Sequence, residues 1–183
     1  MSVAYYPLIA GPSGPAIYTG NNWSYEKGML DWTPTSPATT DNFGAGGGGP
    51  GLAAYDGTNL CFFDTFRNHI LTGELINADT FTAAPGDSFT STCRIIAQAP
   101  NFSAYGAALV QFLTSGNAVI GSSYIGSNVN GNGGIPSPPW ILSSVTAVAP
   151  ATTANVRIGW KAFNDNPSYI GRIHADWHTL QKN

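Results

Sequence analysis

The sequence predicts an all-β fold, an antiparallel sandwich of two sheets preceded by an extended N-terminal arm. Three observations point there. The turn Pro85-Gly86-Asp87 opens onto a segment in which Phe89, Ser91, Cys93 and Ile95 alternate with Thr90, Thr92 and Arg94. That period of two marks a half-buried strand. Similar segments recur to the C-terminus, each introduced by a cluster of Pro, Gly or Asn. No long segment has the 3.6-residue period of an amphipathic helix; only 66–76 has room for a helical turn or two.

Residues 1–20 are apolar and interrupted by Pro7, Pro12 and Pro15, which forbid a regular helix and favour an extended arm. Its apolar side chains, Tyr5, Tyr6, Leu8, Ile9, Ile17 and Tyr18, need a cover, and a neighbouring subunit is the expected one. A domain over 21–183 follows. Asn21–Glu26 reads as a strand entry, continued past a turn by Gly28–Trp32. Residues 33–51 read as loop, ending in the glycine run 46–49; without a following Lys or a strand–helix context this is no phosphate loop. Strands are expected within 52–66, 70–82, 88–95, 105–113, 118–122, 140–148, 154–163 and 169–180. In these, Phe89, Cys93, Val156, Ile158 and Trp177 should face the core, with Thr90, Thr92, Arg157 and Lys161 outside.

Composition narrows the function. Only 9% of residues are charged, against about 25% in ordinary soluble domains. Neutral polar residues must therefore cover the surface, which suits an extracellular protein or a part of a large assembly. A net charge of −3 with no Lys/Arg run argues against nucleic acid. No apolar stretch is long enough to span a bilayer as a helix, and no membrane partner is expected. The first twenty residues lack the basic start and unbroken apolar centre of a signal peptide. Cys61 and Cys93 are compatible with one disulfide or with two buried thiols.

The order of motifs resembles jelly-roll carbohydrate-binding modules of families 4, 9 and 22. Asn22-Trp23-Ser24-Tyr25-Glu26 with Leu30-Asp31-Trp32 is similar to their opening "N-G-(S/D)-F-E … L-x-x-W". Pro85–Thr90 resembles their "P-G-x-x-Y-T" strand, and Gln111–Gly121 their "F-x-D-x-x-G-x-x-I-G" hairpin. Trp140–Arg157 and the closing strand 169–180 resemble the last two motifs. The resemblance spans about 21–180 and implies a two-sheet jelly roll. It also implies a structural Ca²⁺ held by Glu26 and Asp176, the alternative being a solvated Glu26 and a hydrogen-bonded Asp176. No other cofactor is expected.

His174-x-Asp176-x-His178 would project from one face of a strand, where two imidazoles and a carboxylate suit a transition metal or acid–base work. A plain polar outer face is the favoured reading. No nucleophile elbow, zincin motif or pair of acids flanking a cleft is recognisable, so no enzyme is expected. Sugar binders stack pyranose rings on exposed aromatics. Trp140, beside Pro138-Pro139, is the first candidate, followed by Tyr55, Phe62 and Tyr124. Domains of this kind also occur in tailed-bacteriophage virions, as capsid decoration or tail-fibre modules. With no leader and a sticky arm, a non-enzymatic virion component is the leading expectation, in a homo-oligomer, a trimer first, that meets a cell-surface glycan. The alternative is a carbohydrate-binding module of a secreted enzyme.

Overall fold

The computed structural model describes residues 16–18, 20–35, 38, 43–47, 52–64, 72–98, 104–131, 139–164 and 172–183. The expected arm contacts Tyr5, Tyr6, Leu8 and Ile9, the loop 132–138 and the helical option at 66–71 lie outside them. Among the described residues thirteen strands run in order: β1 (Ala16–Tyr18), β2 (Trp32–Thr35), β3 (Phe43–Gly46), β4 (Leu60–Asp64), β5 (Thr72–Asn77), β6 (Phe81–Thr82), β7 (Ser88–Gln98), β8 (Tyr105–Leu113), β9 (Tyr124–Ile125), β10 (Val129–Asn130), β11 (Ile141–Val148), β12 (Asn155–Phe163) and β13 (Arg172–Lys182). No helix occurs among the described residues.

The strands form two antiparallel sheets. The first has the order β11-β7-β13-β4-β3, with β1 beside the C-terminal half of β13; the second is β10-β8-β12-β5-β2, with β9 beside β8 and β6 beside β12. Such non-sequential neighbours, in two facing sheets, make a jelly roll. The alternation read from the sequence sets which side chains meet between the layers. Phe89, Cys93, Ile95, Phe112, Val156, Ile158 and Trp160 are buried in one core, and Thr90, Thr92, Arg157 and Lys161 are on the outer faces. Cys61 and Cys93 are buried free thiols, their pKa values pushed up by burial.

One sheet edge is shielded by chain rather than by a strand. Residues 126–127 run against the edge strand β11, Ser127 N–H donating to Ser144 O at 3.1 Å. A Cβ at Gly126 would lie 2.4 Å from Ser144 O, so only glycine admits this approach.

The expectations for 21–32 and for β13 need correction. Residues 21–31 are not a strand but consecutive turns, with Asn22, Tyr25, Gly28 and Asp31 all at positive φ. Asn22 organises them: its Nδ2 donates to Gly28 O and Leu30 O, and its Oδ1 accepts from Lys27 N–H. This lets Trp23, Tyr25 and Trp32 enter the core from a coil. In β13, the pairing to β7 shifts between Asp176 and Thr179, with Trp177 at φ 48°. This bulge adds a residue and turns Trp177 out of the core. His174, Asp176 and His178 are therefore neither an exposed row nor on one face. All three are buried, and His178 points inward against Tyr25 and Trp32. Finally, Ala16–Tyr18 of the expected arm is paired to β13, with Tyr18 against Phe81 and Phe89 and Ile17 exposed.

Candidate functional site

Strand register defines the outer face of the first sheet. Ile95, Ala175 and Cys61 lie opposite one another in the core. Their chain neighbours Ile96, His174 and Phe62, and next along the strands Arg94, Asp176 and Leu142, must therefore face outward. This outward face is not bare, because residues 52–59 fold over it. Leu52, Leu60 and Ile96 form a small second core there, with Ala54, Phe62 and Trp140 packed against it.

On the rim of that covering segment three aromatic rings adjoin one another, and two of them meet one guanidinium. Tyr55 stands 6.3 Å from Trp140, edge to face, and 5.7 Å from Trp177. The Arg94 guanidinium carbon lies 4.6 Å from the Tyr55 ring centroid and 5.9 Å from that of Trp177. Tyr55 is 44% exposed, and the neighbouring Leu142, cross-strand from Arg94, 43%. Trp140 is anchored by its Nε1–H to Ala53 O at 3.1 Å. Beyond Trp177 the surface dips into a cleft of about 350 Å³ lined by Asn22, Trp23, Ser24, Glu26 and Asp56.

Two carboxylates hold this arrangement. Asp176 Oδ2 accepts from the N–H of Tyr55 at 2.8 Å and of Asp56 at 3.0 Å, while its Oδ1 accepts from Trp177 N–H at 2.8 Å. One buried side chain thus positions the backbone of two of the three aromatics. Glu26 grips the far end of the same segment: Oε1 accepts from Thr58 and Asn59 N–H and Oε2 from the Thr58 hydroxyl. Gly57, at φ +68°, admits this close approach, since a Cβ there would lie 2.4 Å from Glu26 Oε1.

Electrostatics separates the two acids. The N–H of Asn59, with the Thr58 hydroxyl and N–H, holds the exposed Glu26 below the usual carboxylate range. Burial raises Asp176 to about 7 despite its three N–H donors. Burial also lowers His174 to about 4, with the nearby Arg172 charge adding to it, and His178 to about 3. His178 Nε2 is 2.8 Å from the Tyr25 hydroxyl, whereas neither ring nitrogen of His174 has a partner among the described residues. Two neutral, buried imidazoles on opposite faces of β13 suit neither joint metal binding nor proton transfer to a substrate.

Glu26 and Asp176, the residues expected to hold calcium, both act here as hydrogen-bond acceptors. All four of their oxygens accept hydrogen bonds, and no group of three or more His, Cys, Asp or Glu suited to a metal occurs among the described residues. The shared role of Glu26 and Asp176 is to hold residues 55–59.

Of the sequence candidates, Trp140 and Tyr55 come together. Phe62 flanks them on the same face, beneath the Arg172 guanidinium at 4.8 Å. Tyr124 is elsewhere, in β9 on the second sheet, edge-on to Phe112 at 5.5 Å. Arg94 and Trp177 were not singled out. Alternation already placed Arg94 outward, but nothing in the local pattern signals the bulge that turns Trp177 to meet it.

No family profile matches this chain, and neither does any curated protein. Solved structures do. Bacteriophage CBA120 tailspike protein 4, in its enzymatically active domain, is similar over 90% of this chain at 14% identity and a TM-score of 0.58, and the chain spans only 21% of that one. The module TmCBM61, solved with β-1,4-galactotriose, matches over 89% of this chain and 97% of its own at 11% identity and a TM-score of 0.57. The K1 cleaved adhesin domain of Lys-gingipain from Porphyromonas gingivalis W83 matches over 87% and 96% at 18% identity and a TM-score of 0.58. At such identities the likeness shows the fold: this chain has the jelly roll of carbohydrate-binding modules.

Proposed function

We propose that this domain is a non-catalytic glycan-binding module whose platform is Tyr55, Trp140 and Trp177. The observation that carries the reading is the grouping of three partly exposed rings, Tyr55 between Trp140 and Trp177, with Asp176 holding the backbone of Tyr55 and Trp177. Such rings offer flat apolar area to the C–H face of a pyranose, and the cleft beyond Trp177 supplies Asn, Ser and carboxylate groups for hydroxyls. The likeness to a galactotriose-binding module supports it. Affinity electrophoresis in gels containing polysaccharides tests it. Trp140→Ala and Trp177→Ala should each weaken retention about tenfold, the scale of one lost aromatic contact. Retention unchanged in both variants would remove the platform.

A second reading concerns where the module works. We propose that it serves a tailed-phage virion, as a capsid decoration or tail module, and takes its place there as a homotrimer. The likeness to a tailspike domain supports this, as do the sparse charge and the exposed Ile17 on β1 beside β13. Size-exclusion chromatography with light scattering should give a trimer mass. A monomer at micromolar concentration would favour the module of a secreted enzyme.

A further inference from the structure

We infer that the platform recognises an acidic saccharide, one bearing a carboxylate or a sulfate ester, and that Arg94 is the residue that reads the anion. The inference rests on the glycan-binding reading and adds the class of ligand. Among the described residues Arg172 pairs with Asp64 and Lys182 with Asp87, whereas Lys27, Arg157 and Lys161 form no such pair; Arg94 differs from these three in being held against aromatic rings. Arg94 has no such partner among the described residues, and its Nε is buried with no hydrogen-bond acceptor there. The acids that could have served are already engaged. Asp176, its cross-strand neighbour, spends both oxygens on backbone N–H groups, and Asp56 accepts the Ser24 hydroxyl at 2.7 Å.

The guanidinium is nonetheless held in place. It stacks over Tyr55 and lies near Trp177, contacts that use its face and leave its in-plane N–H donors free. A planar fork of unfilled donors beside exposed rings matches a sugar whose ring stacks while its oxyanion takes the fork. A neutral sugar's hydroxyls accept single hydrogen bonds from this fork, whereas an oxyanion takes two donors at once and meets the charge. The cleft on the far side of Trp177 is lined by Asn22, Ser24, Glu26, Lys27 and Asp56, a mixed polar set that suits hydroxyls, so the expected ligand places its acidic group at the Arg94 end and hydroxyls toward the cleft.

Paired polymers test this. Polygalacturonate against its carboxyl-reduced galactan isolates the carboxylate, and dextran sulfate against dextran isolates the sulfate. The wild-type chain should bind at least one acidic member about tenfold more tightly than its neutral partner, the increment of one charge-assisted pair. Arg94→Gln should abolish that preference, so that the acidic and neutral members of each pair are then retained equally. Arg94→Lys, a point charge without the fork, should restore part of it. Raising the salt concentration should weaken only the acidic polymers. Equal affinity within both pairs for the wild type, or a preference that survives in Arg94→Gln, overturns the inference while leaving the platform intact. Binding to none of the four overturns the platform reading as well.

Discussion

Replacing Asp176 with alanine is expected to cost about 3 kcal/mol of stability and to release Tyr55 and Trp177 from the platform. Asp176 is fully buried and is the acceptor for three backbone N–H groups. Each hydrogen bond to a charged acceptor contributes roughly 1.5–3 kcal/mol. Water can reach the exposed segment 55–58 once it lifts, which returns part of the loss. Asp176→Asn retains one acceptor oxygen and removes a costly buried charge, so it should lose only about 1 kcal/mol. Urea melts of the three proteins at pH 8, where Asp176 is ionised, give the ordering wild type, Asn, Ala. Tryptophan emission should shift to the red in the alanine variant. An alanine variant as stable as the wild type would show that the carboxylate does not hold the segment.

Acid is expected to destabilise the fold well above the range where ordinary carboxylates titrate. His174 and His178 have folded pKa values of about 4 and 3 against about 6.5 when unfolded. For a depressed histidine the unfolded chain binds the extra proton, so its stabilising contribution is complete above pH 6.5 and is lost as pH falls. Asp176 works in the opposite sense: its folded pKa of about 7 lies above the unfolded value, so its contribution is complete at low pH and declines as pH rises to 7. Within the window between pH 6.5 and 4 the unfolded state therefore holds about two of these protons and the folded state about one. The net single proton corresponds to roughly 1 kcal/mol per pH unit, or about 3 kcal/mol across the window. Thermal melts between pH 4 and 8 read this directly, with greatest stability expected near pH 6.5–7. In His174→Leu the dependence should flatten, because His178 and Asp176 then cancel. A steep dependence persisting in that variant would place the titrating group elsewhere. Below this window Glu26, whose pKa is lowered by its hydrogen bonds to Thr58 and Asn59, adds a further loss in the same direction as the histidines.

What was legible in the sequence is whatever depends on a chain's own periodicity. Alternation along 88–95 and 154–163 sorted Phe89, Cys93, Val156 and Ile158 from Thr90, Thr92, Arg157 and Lys161, because successive strand side chains must point to opposite faces. The turn clusters and the order of motifs were enough for a two-sheet jelly roll. Trp140 and Tyr55, on segments rich in turn residues, were recognisable as exposed candidates. The chain alone did not reveal features created by pairing between distant segments. The bulge at Trp177 arises from a mismatch between β13 and β7, so it reverses a side chain that local alternation had assigned to the core. His174 and Asp176 stand on the outer face, as alternation implies, yet are buried, because residues 52–59 fold over that face. Burial by a covering segment leaves no trace in the covered strand. The sequence by itself determined the two-sheet class and, along the regular strands 88–95 and 154–163, which residues line each face. Only the tertiary structure decided which of those faces meets solvent, and it thereby brought Arg94, Tyr55, Trp140 and Trp177 together from four separate parts of the chain.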